Sequence, residues 1–134
     1  TNSVAHHTCY KHQCLDTTEL VKKQLGLPEE KVSTSFQSRL GSDPWLQPFT
    51  DKEFERLAQE GVKKLAVITP AFVSDCLETL EEIAMEGKHQ FQEAGGGDYI
   101  HISCLNDRDD WAQLMAEWIN TWEKSGVLPE YHIQ

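Results

Sequence analysis

Five carboxylates crowd into twelve positions of the segment AFVSDCLETLEEIAMEG: Asp75, Glu78, Glu81, Glu82 and Glu86, with no Lys or Arg among them. Glu78, Glu82 and Glu86 repeat at i, i+4 and i+8. Like charges at that spacing on a helix repel by about 0.2–0.5 kcal/mol per pair. On a wheel turning ~100° per residue, Leu77, Leu80, Ile83 and Ala84 form one stripe and the three glutamates another, roughly opposite. Two chemistries fit. In the plainer one the leucines face a sheet and the glutamates face water, and periodicity alone favours it. In the other, carboxylates one turn apart, ~5–6 Å from one another, form a ladder of hard oxygen ligands for Mg²⁺, Mn²⁺ or, with imidazole, Fe²⁺. Without a cation, a crowded carboxylate holds a raised pKa and can pass protons. The spacing does not choose between a metal path and a proton path.

Other reactive residues carry weaker signals. His6, His7, Cys9, His12 and Cys14 gather near the start without the paired spacing of a zinc site, and read as the frayed start of a helix. The four cysteines, Cys9, Cys14, Cys76 and Cys104, read as free thiols of a reducing compartment, because a chain of this size needs no staples. GGG at 95–97 lacks a phosphate-loop context and reads as a turn. Trp111, Met115, Trp118 and Trp122 recur at helical spacing and read as core packing.

The elements that must position these groups follow from the pattern. The 134 residues, 39% of them hydrophobic, suit one compact domain. A formal charge of −10 with scattered Lys and Arg excludes a phosphate-backbone partner. No run of ~18 apolar residues is present, so no membrane span is expected. The N-terminus has no apolar signal region and no initiator Met, and the chain is expected to begin inside a longer protein. A helix over 15–25, with its start upstream near Tyr10, ends at Gly26 and Pro28. Alternating Val32, Thr34 and Phe36 predict a strand over 31–36. A proline-rich loop follows, then a helix opened by a Thr50–Glu53 capping box. KLAVIT at 64–69 predicts a strand buried on both faces. The acidic helix is capped by Ser74 or Asp75 and ends near Gly87. DYIHIS at 98–103 is a third strand, and Asn106 caps a last helix whose first turn is rich in Asp. The order α-β-α-β-α-β-α implies a three-layer α/β fold with a parallel sheet. Its functional crevice belongs at the strands' carboxyl ends.

Three stretches resemble one family. FQSRLGSDPWLQPFTDKE, residues 36–53, closely resembles the signature loop of ferrochelatases; PAFVSDCLETLEEI, residues 70–83, resembles their acidic helix; and CYKHQCLDTTELV, residues 9–21, is similar to the helix preceding that loop. The resemblance covers about residues 9–122, leaving 123–134 as a tail. It implies a Rossmann-like, C-terminal half of a chelatase that inserts Fe²⁺ into protoporphyrin IX in haem synthesis, with the porphyrin held between two similar halves. The family's histidine and its N-terminal half would both lie upstream of Thr1. The first strand of the half is therefore missing, and the fragment is expected to be inactive alone.

Carried over by resemblance, Glu78 is the essential glutamate beside the porphyrin. Asp75, Glu82 and Glu86 complete a row that handles metal or protons, on a helix that often contains a π-type turn. Trp45 and Phe72 line the cleft, and Gln37, Ser38 and Arg39 form the polar end of the signature strand. Many members carry His where Cys76 stands, a softer ligand with a different pKa. Some members hold a [2Fe–2S] cluster through four cysteines; none is expected here, and no cofactor is required beyond Fe²⁺ as substrate. The implied setting is the cytoplasm, at most peripheral to the inner membrane, and self-association is a further expectation where apolar surface is left uncovered. Two alternatives stand: a chelatase for another metal or tetrapyrrole, such as coproporphyrin or a cobalt substrate, and a non-catalytic α/β interaction domain.

Overall fold

A computed structural model describes residues 9–38 and 41–127. Helix α1 spans Tyr10–Leu25 and is followed by a 3₁₀ turn at Glu29–Lys31. Helix α2 spans Thr50–Gln59, strand β1 Lys64–Ile68, a π-helix Glu78–Gly87, α3 Lys88–Glu93, strand β2 Asp98–Ile102 and α4 Asp109–Ser125. The strands pair in parallel, Lys64 opposite Asp98 and Ile68 opposite Ile102. The fold is α/β with a parallel sheet, as the alternation of elements implies.

The core lies where α2, the π-helix and α3 cover the sheet. Phe54, Ala58, Ile83 and Phe91 are buried, and Leu65, Val67 and Tyr99 pack against them from the strands. Phe91 has no exposed surface; burying such a side chain stabilises by about 1.5–3 kcal/mol. The Tyr99 ring meets Phe54 edge-on at 5.7 Å. Its hydroxyl donates to the Ile83 carbonyl at 2.7 Å, and burial pushes the phenol pKa up. Ile68, Ile100 and Ile102 remain exposed.

Several local expectations fail for identifiable reasons. Residues 31–36 do not form a strand, and among the described residues the sheet has two strands instead of three. Phe36 makes a single bridge to Phe49: its N–H donates to the Pro48 carbonyl at 2.9 Å, and the Thr50 N–H donates to its carbonyl at 3.1 Å. The chain beyond the proline-rich turn thus takes the backbone groups a sheet neighbour would need. The alternation of Val32, Thr34 and Phe36 reflects which side chains face inward, not a ladder.

The capping box does not form either. Phe49 holds the N-cap position of α2, and the Thr50 hydroxyl pairs with that of Ser35 at 3.0 Å. Glu53 turns instead to Arg56, with contacts of 3.0 and 2.8 Å. The tryptophan stripe is not core: no residue of α4 is buried. Trp111 and Trp118 cover each other edge to face at 5.7 Å, while Met115 and Trp122 are exposed. A two-stranded sheet offers too little apolar area to bury every helix. GGG does form a turn, with Gly95 at φ 99°. Gly26 ends α1 in the left-handed conformation, which glycine adopts without steric cost.

Candidate functional site

The acidic segment is wound as a π-helix over all of Glu78–Gly87. Its i→i+5 bonding takes more than four residues per turn, and this changes which residues share a face. Thr79, Ile83 and Gly87 are the buried ones, spaced by four. Leu77 and Leu80, expected to face the sheet, are 69% and 51% exposed. Glu78, Glu82 and Glu86 each precede a buried residue by one position. The glutamate stripe therefore borders the packed face, with Glu78 half-buried and Glu82 and Glu86 exposed; the plainer reading fails at Leu77 and Leu80, which do not face the sheet, while Glu82 and Glu86 do face solvent at the edge of that face. Gly87 is not a helix end, since helical winding continues into α3. It permits close approach: a Cβ there would stand 2.5 Å from Cε2 of Phe54 and 3.0 Å from the Tyr99 hydroxyl.

The signature loop lies against this helix. Trp45 donates its indole N–H to the Gln37 carbonyl at 2.9 Å, and the Gln37 side-chain amide donates to the Glu78 backbone carbonyl at 3.2 Å. Ser38, with φ 60°, occupies the left-handed region that non-glycine residues seldom adopt, a cost of order 1–3 kcal/mol that is met mostly at functional sites. Between loop and helix runs a cleft of about 420 Å³, lined by Phe36, Gln37, Ser38, Phe49, Glu82 and Glu86 among others. The π-helix contributes the carboxylates Glu82 and Glu86, and the opposite side contributes Gln37, Ser38 and a further carboxylate, Asp51.

The carboxylates differ in their ionisation. Glu82 is pushed up, first by burial and then by the charges of Glu78, Glu86 and Glu81. Glu78 is held below its ordinary value, first by the Cys76 side chain and then by its own backbone amide. Burial and neighbouring charge thus raise the middle member of the row, while hydrogen bonds lower Glu78.

Asp75 stands apart. Its Oδ1 accepts from the Thr79 hydroxyl at 2.9 Å, and its Oδ2 accepts from the Asn106 amide at 2.7 Å and the Cys104 N–H at 3.3 Å. These bonds, the Asn106 one foremost, hold its pKa down to about 2. Neither Asn106 nor Thr79 was prominent in the sequence. Asn106 reads there as a helix cap, yet α4 starts after Arg108 with no side-chain cap, and the Asn106 side chain is spent on Asp75. The signals were a Thr four residues after an Asp at a helix start and an Asn in the loop that leaves a strand.

Of the residues carried over by resemblance, the cleft gathers Gln37, Ser38, Glu82 and Glu86, and Glu78 joins through its carbonyl. Phe72 is half-buried in the turn after β1, where its N–H donates to the Thr69 carbonyl at 2.9 Å, and it does not line the cleft. Trp45, 38% exposed, braces Gln37 from outside. Arg39, His6 and His7 lie outside the described residues. Among the described residues no three His, Cys, Asp or Glu side chains stand close enough together to hold one ion, so Asp75, Glu78, Glu82 and Glu86 form a row and not a cage. Cys9, Cys14, Cys76 and Cys104 are free thiols. No helix among the described residues is long and apolar enough to cross a membrane.

Comparison with known proteins identifies the family. The Ferrochelatase family model matches residues 1–122. A ferrochelatase of Chelativorans sp. (strain BNC1) is 58% identical over 117 residues, covering 87% of this chain and 33% of that protein. The ferrochelatase of Opitutus terrae is 48% identical over 122 residues, 91% of this chain and 35% of its own length. That of Pseudomonas putida F1 is 50% identical over 109 residues, 81% and 32% respectively. The chain spans about a third of the length of the curated relatives it matches. With the family model covering nearly all of the sequence, the chain belongs to the ferrochelatase family.

Proposed function

We propose that this segment forms the acidic wall of a cleft in which Fe²⁺ is inserted into protoporphyrin IX to give protohaem. It would act within a full-length enzyme whose remainder supplies the opposite wall and the histidine. The observation that carries the reading is that Glu82 and Glu86 line a cleft with Gln37 and Ser38 of the signature loop, and that Gln37 ties this loop to the Glu78 carbonyl. Metallation exchanges two pyrrole N–H protons for one Fe²⁺. The hydrated ion sheds water as Glu86, Glu82 and Glu78 offer oxygens in turn, each singly and therefore weakly held. Glu82, its pKa raised, is suited to carry protons outward, and Glu78, its pKa lowered, to take the cation or a pyrrole proton beside the ring. Asp75, with three hydrogen bonds already made, has little acceptor capacity left for a cation. Trp45 and Gln37 would hold the loop that grips the macrocycle.

The same reading places the protein in the cytoplasm, at most touching the inner membrane, and leaves the exposed Ile100 and Trp122 to be covered by the rest of the enzyme or by a second copy. A chelatase for a different metal is the second reading. It is favoured by Cys76, a soft ligand beside Glu78. The test uses a full-length chelatase carrying this segment. Porphyrin is expected to quench tryptophan fluorescence, and Glu78→Gln to abolish nearly all metallation with Fe²⁺. Normal turnover by that variant would refute the assignment, and faster turnover with Co²⁺ than Fe²⁺ would favour the second reading.

A further inference from the structure

The turn before the π-helix and the loop after β2 are stitched together by a reciprocal clasp. The Asp75 N–H donates to Asn106 Oδ1 at 2.7 Å, and Asn106 Nδ2 donates to Asp75 Oδ2 at 2.7 Å. The Cys104 N–H adds a third bond to the same carboxylate, and the Asn106 N–H donates to the Val73 carbonyl at 3.0 Å. To reach this arrangement Asn106 takes φ 50°. That left-handed conformation is disfavoured for most side chains, but Asn tolerates it through local hydrogen bonds. From Asp75 the connection passes inward. The Thr79 hydroxyl, on a residue with no exposed surface, lies 2.9 Å from Asp75 Oδ1 and accepts the Cys76 N–H at 3.0 Å. Glu78 lies between these tied residues, directly before Thr79. The Asp75–Thr79 bond therefore restrains its backbone from both sides.

We infer that Asn106 is a positioning residue of the site: through Asp75 it fixes where the acidic helix begins, and so where Glu78 stands. An Asp kept for cation binding would leave its oxygens open. This one gives both oxygens and its own amide to neighbouring elements, and both partners in the 75–106 pair are spent on each other. The consequence for catalysis rests on the proposed chelatase reading; the consequence for structure rests on the hydrogen bonds alone.

A swap separates position from chemistry. In Asn106→Asp two carboxylates oppose each other and the clasp opens. In Asp75→Asn/Asn106→Asp the pair is rebuilt with its polarity reversed. The amide at 75 donates to the carboxylate at 106, which also accepts the residue 75 N–H, and only the Cys104 N–H loses its acceptor. In the full-length chelatase, Asn106→Asp is expected to lower kcat about a hundredfold, the scale of a misplaced catalytic group, with less change in porphyrin KM. The double variant is expected to recover to within about tenfold of the parent, one hydrogen bond short. Amide hydrogen exchange supplies a second readout. Cys76 and Thr79 should exchange faster in Asn106→Asp and regain protection in the double variant. Recovery of protection without recovery of kcat would overturn the inference, because a carboxylate at 75 would then act directly. Unchanged exchange and kcat in Asn106→Asp would overturn it as well. If the parent does not metallate porphyrin while the exchange pattern holds, the chelatase reading falls and the clasp stands.

Discussion

The side-chain amide of Gln37 reaches the backbone carbonyl of Glu78 at 3.2 Å, across 41 residues of sequence. Through it the signature loop is docked on the first turn of the acidic helix, and Trp45 braces the docked residue from behind. Neither contact uses a carboxylate, so the loop can be held without consuming the charges that line the cleft.

Removing that contact tests the docking. Gln37→Ala forfeits one hydrogen bond, a net loss of about 0.5–1.5 kcal/mol. Porphyrin KM in the full-length enzyme should rise about two- to tenfold with kcat less affected, and the Trp45 fluorescence maximum should shift. Gln37→Glu should be worse, since its carboxylate would face the Glu78 carbonyl.

The glutamate row should titrate out of order. Carboxyl ¹³C titration is expected to show Glu82 above the ordinary 4.5 and Glu78 below it. Glu86→Gln should lower the Glu82 value only in part, because burial is the larger cause. The sign for stability follows from linkage. With its folded-state pKa raised, Glu82 binds more protons in the folded state than in the unfolded one. Its contribution is lost as pH rises from the ordinary value through the folded one, and Glu82→Gln should flatten that slope.

Cys76 sets the lower end of the row. Cys76→Ala removes the leading cause of the Glu78 depression, so Glu78 should titrate closer to its ordinary value. The acid limb of the pH–kcat profile should move to higher pH with it. Cys76→Ser, which keeps a donor, should move the limb less.

Gly87→Ala tests the close approach that holds the π-helix to the core. Its methyl would lie 2.5 Å from the Phe54 ring, so packed neighbours must shift. Overpacking of this kind costs about 1–3 kcal/mol, measurable as a lower urea midpoint at unchanged slope. An unaltered midpoint would show that α2 yields freely.

Much of this protein was determined by the sequence alone: the parallel β1–β2 pair, the helices at 10–25, 50–59 and 109–125, the turn at Gly95 and the glutamate spacing. The helices, the turn and the glutamate spacing depend on nearest neighbours, because a left-handed glycine or an i, i+4 repeat carries its consequence locally; the β1–β2 pairing is long-range and is legible only through the alternation of strands with helices. Tertiary structure decided the rest. Val32, Thr34 and Phe36 alternate like a strand, but Pro48 and Thr50 claim the Phe36 backbone, and no local pattern records that competition. The wheel buries Leu77, Leu80, Ile83 and Ala84; in the π-helix Ile83 is buried as expected, but Thr79 and Gly87 join it while Leu77 and Leu80 are exposed. Which side of a helix faces a cleft depends on its pitch, and here the buried face meets Phe54 at Gly87 and Asp75 at Thr79. The role of Asp75 was out of reach for the same reason: its partner, Asn106, lies 31 residues away, and only folding brings the two loops together.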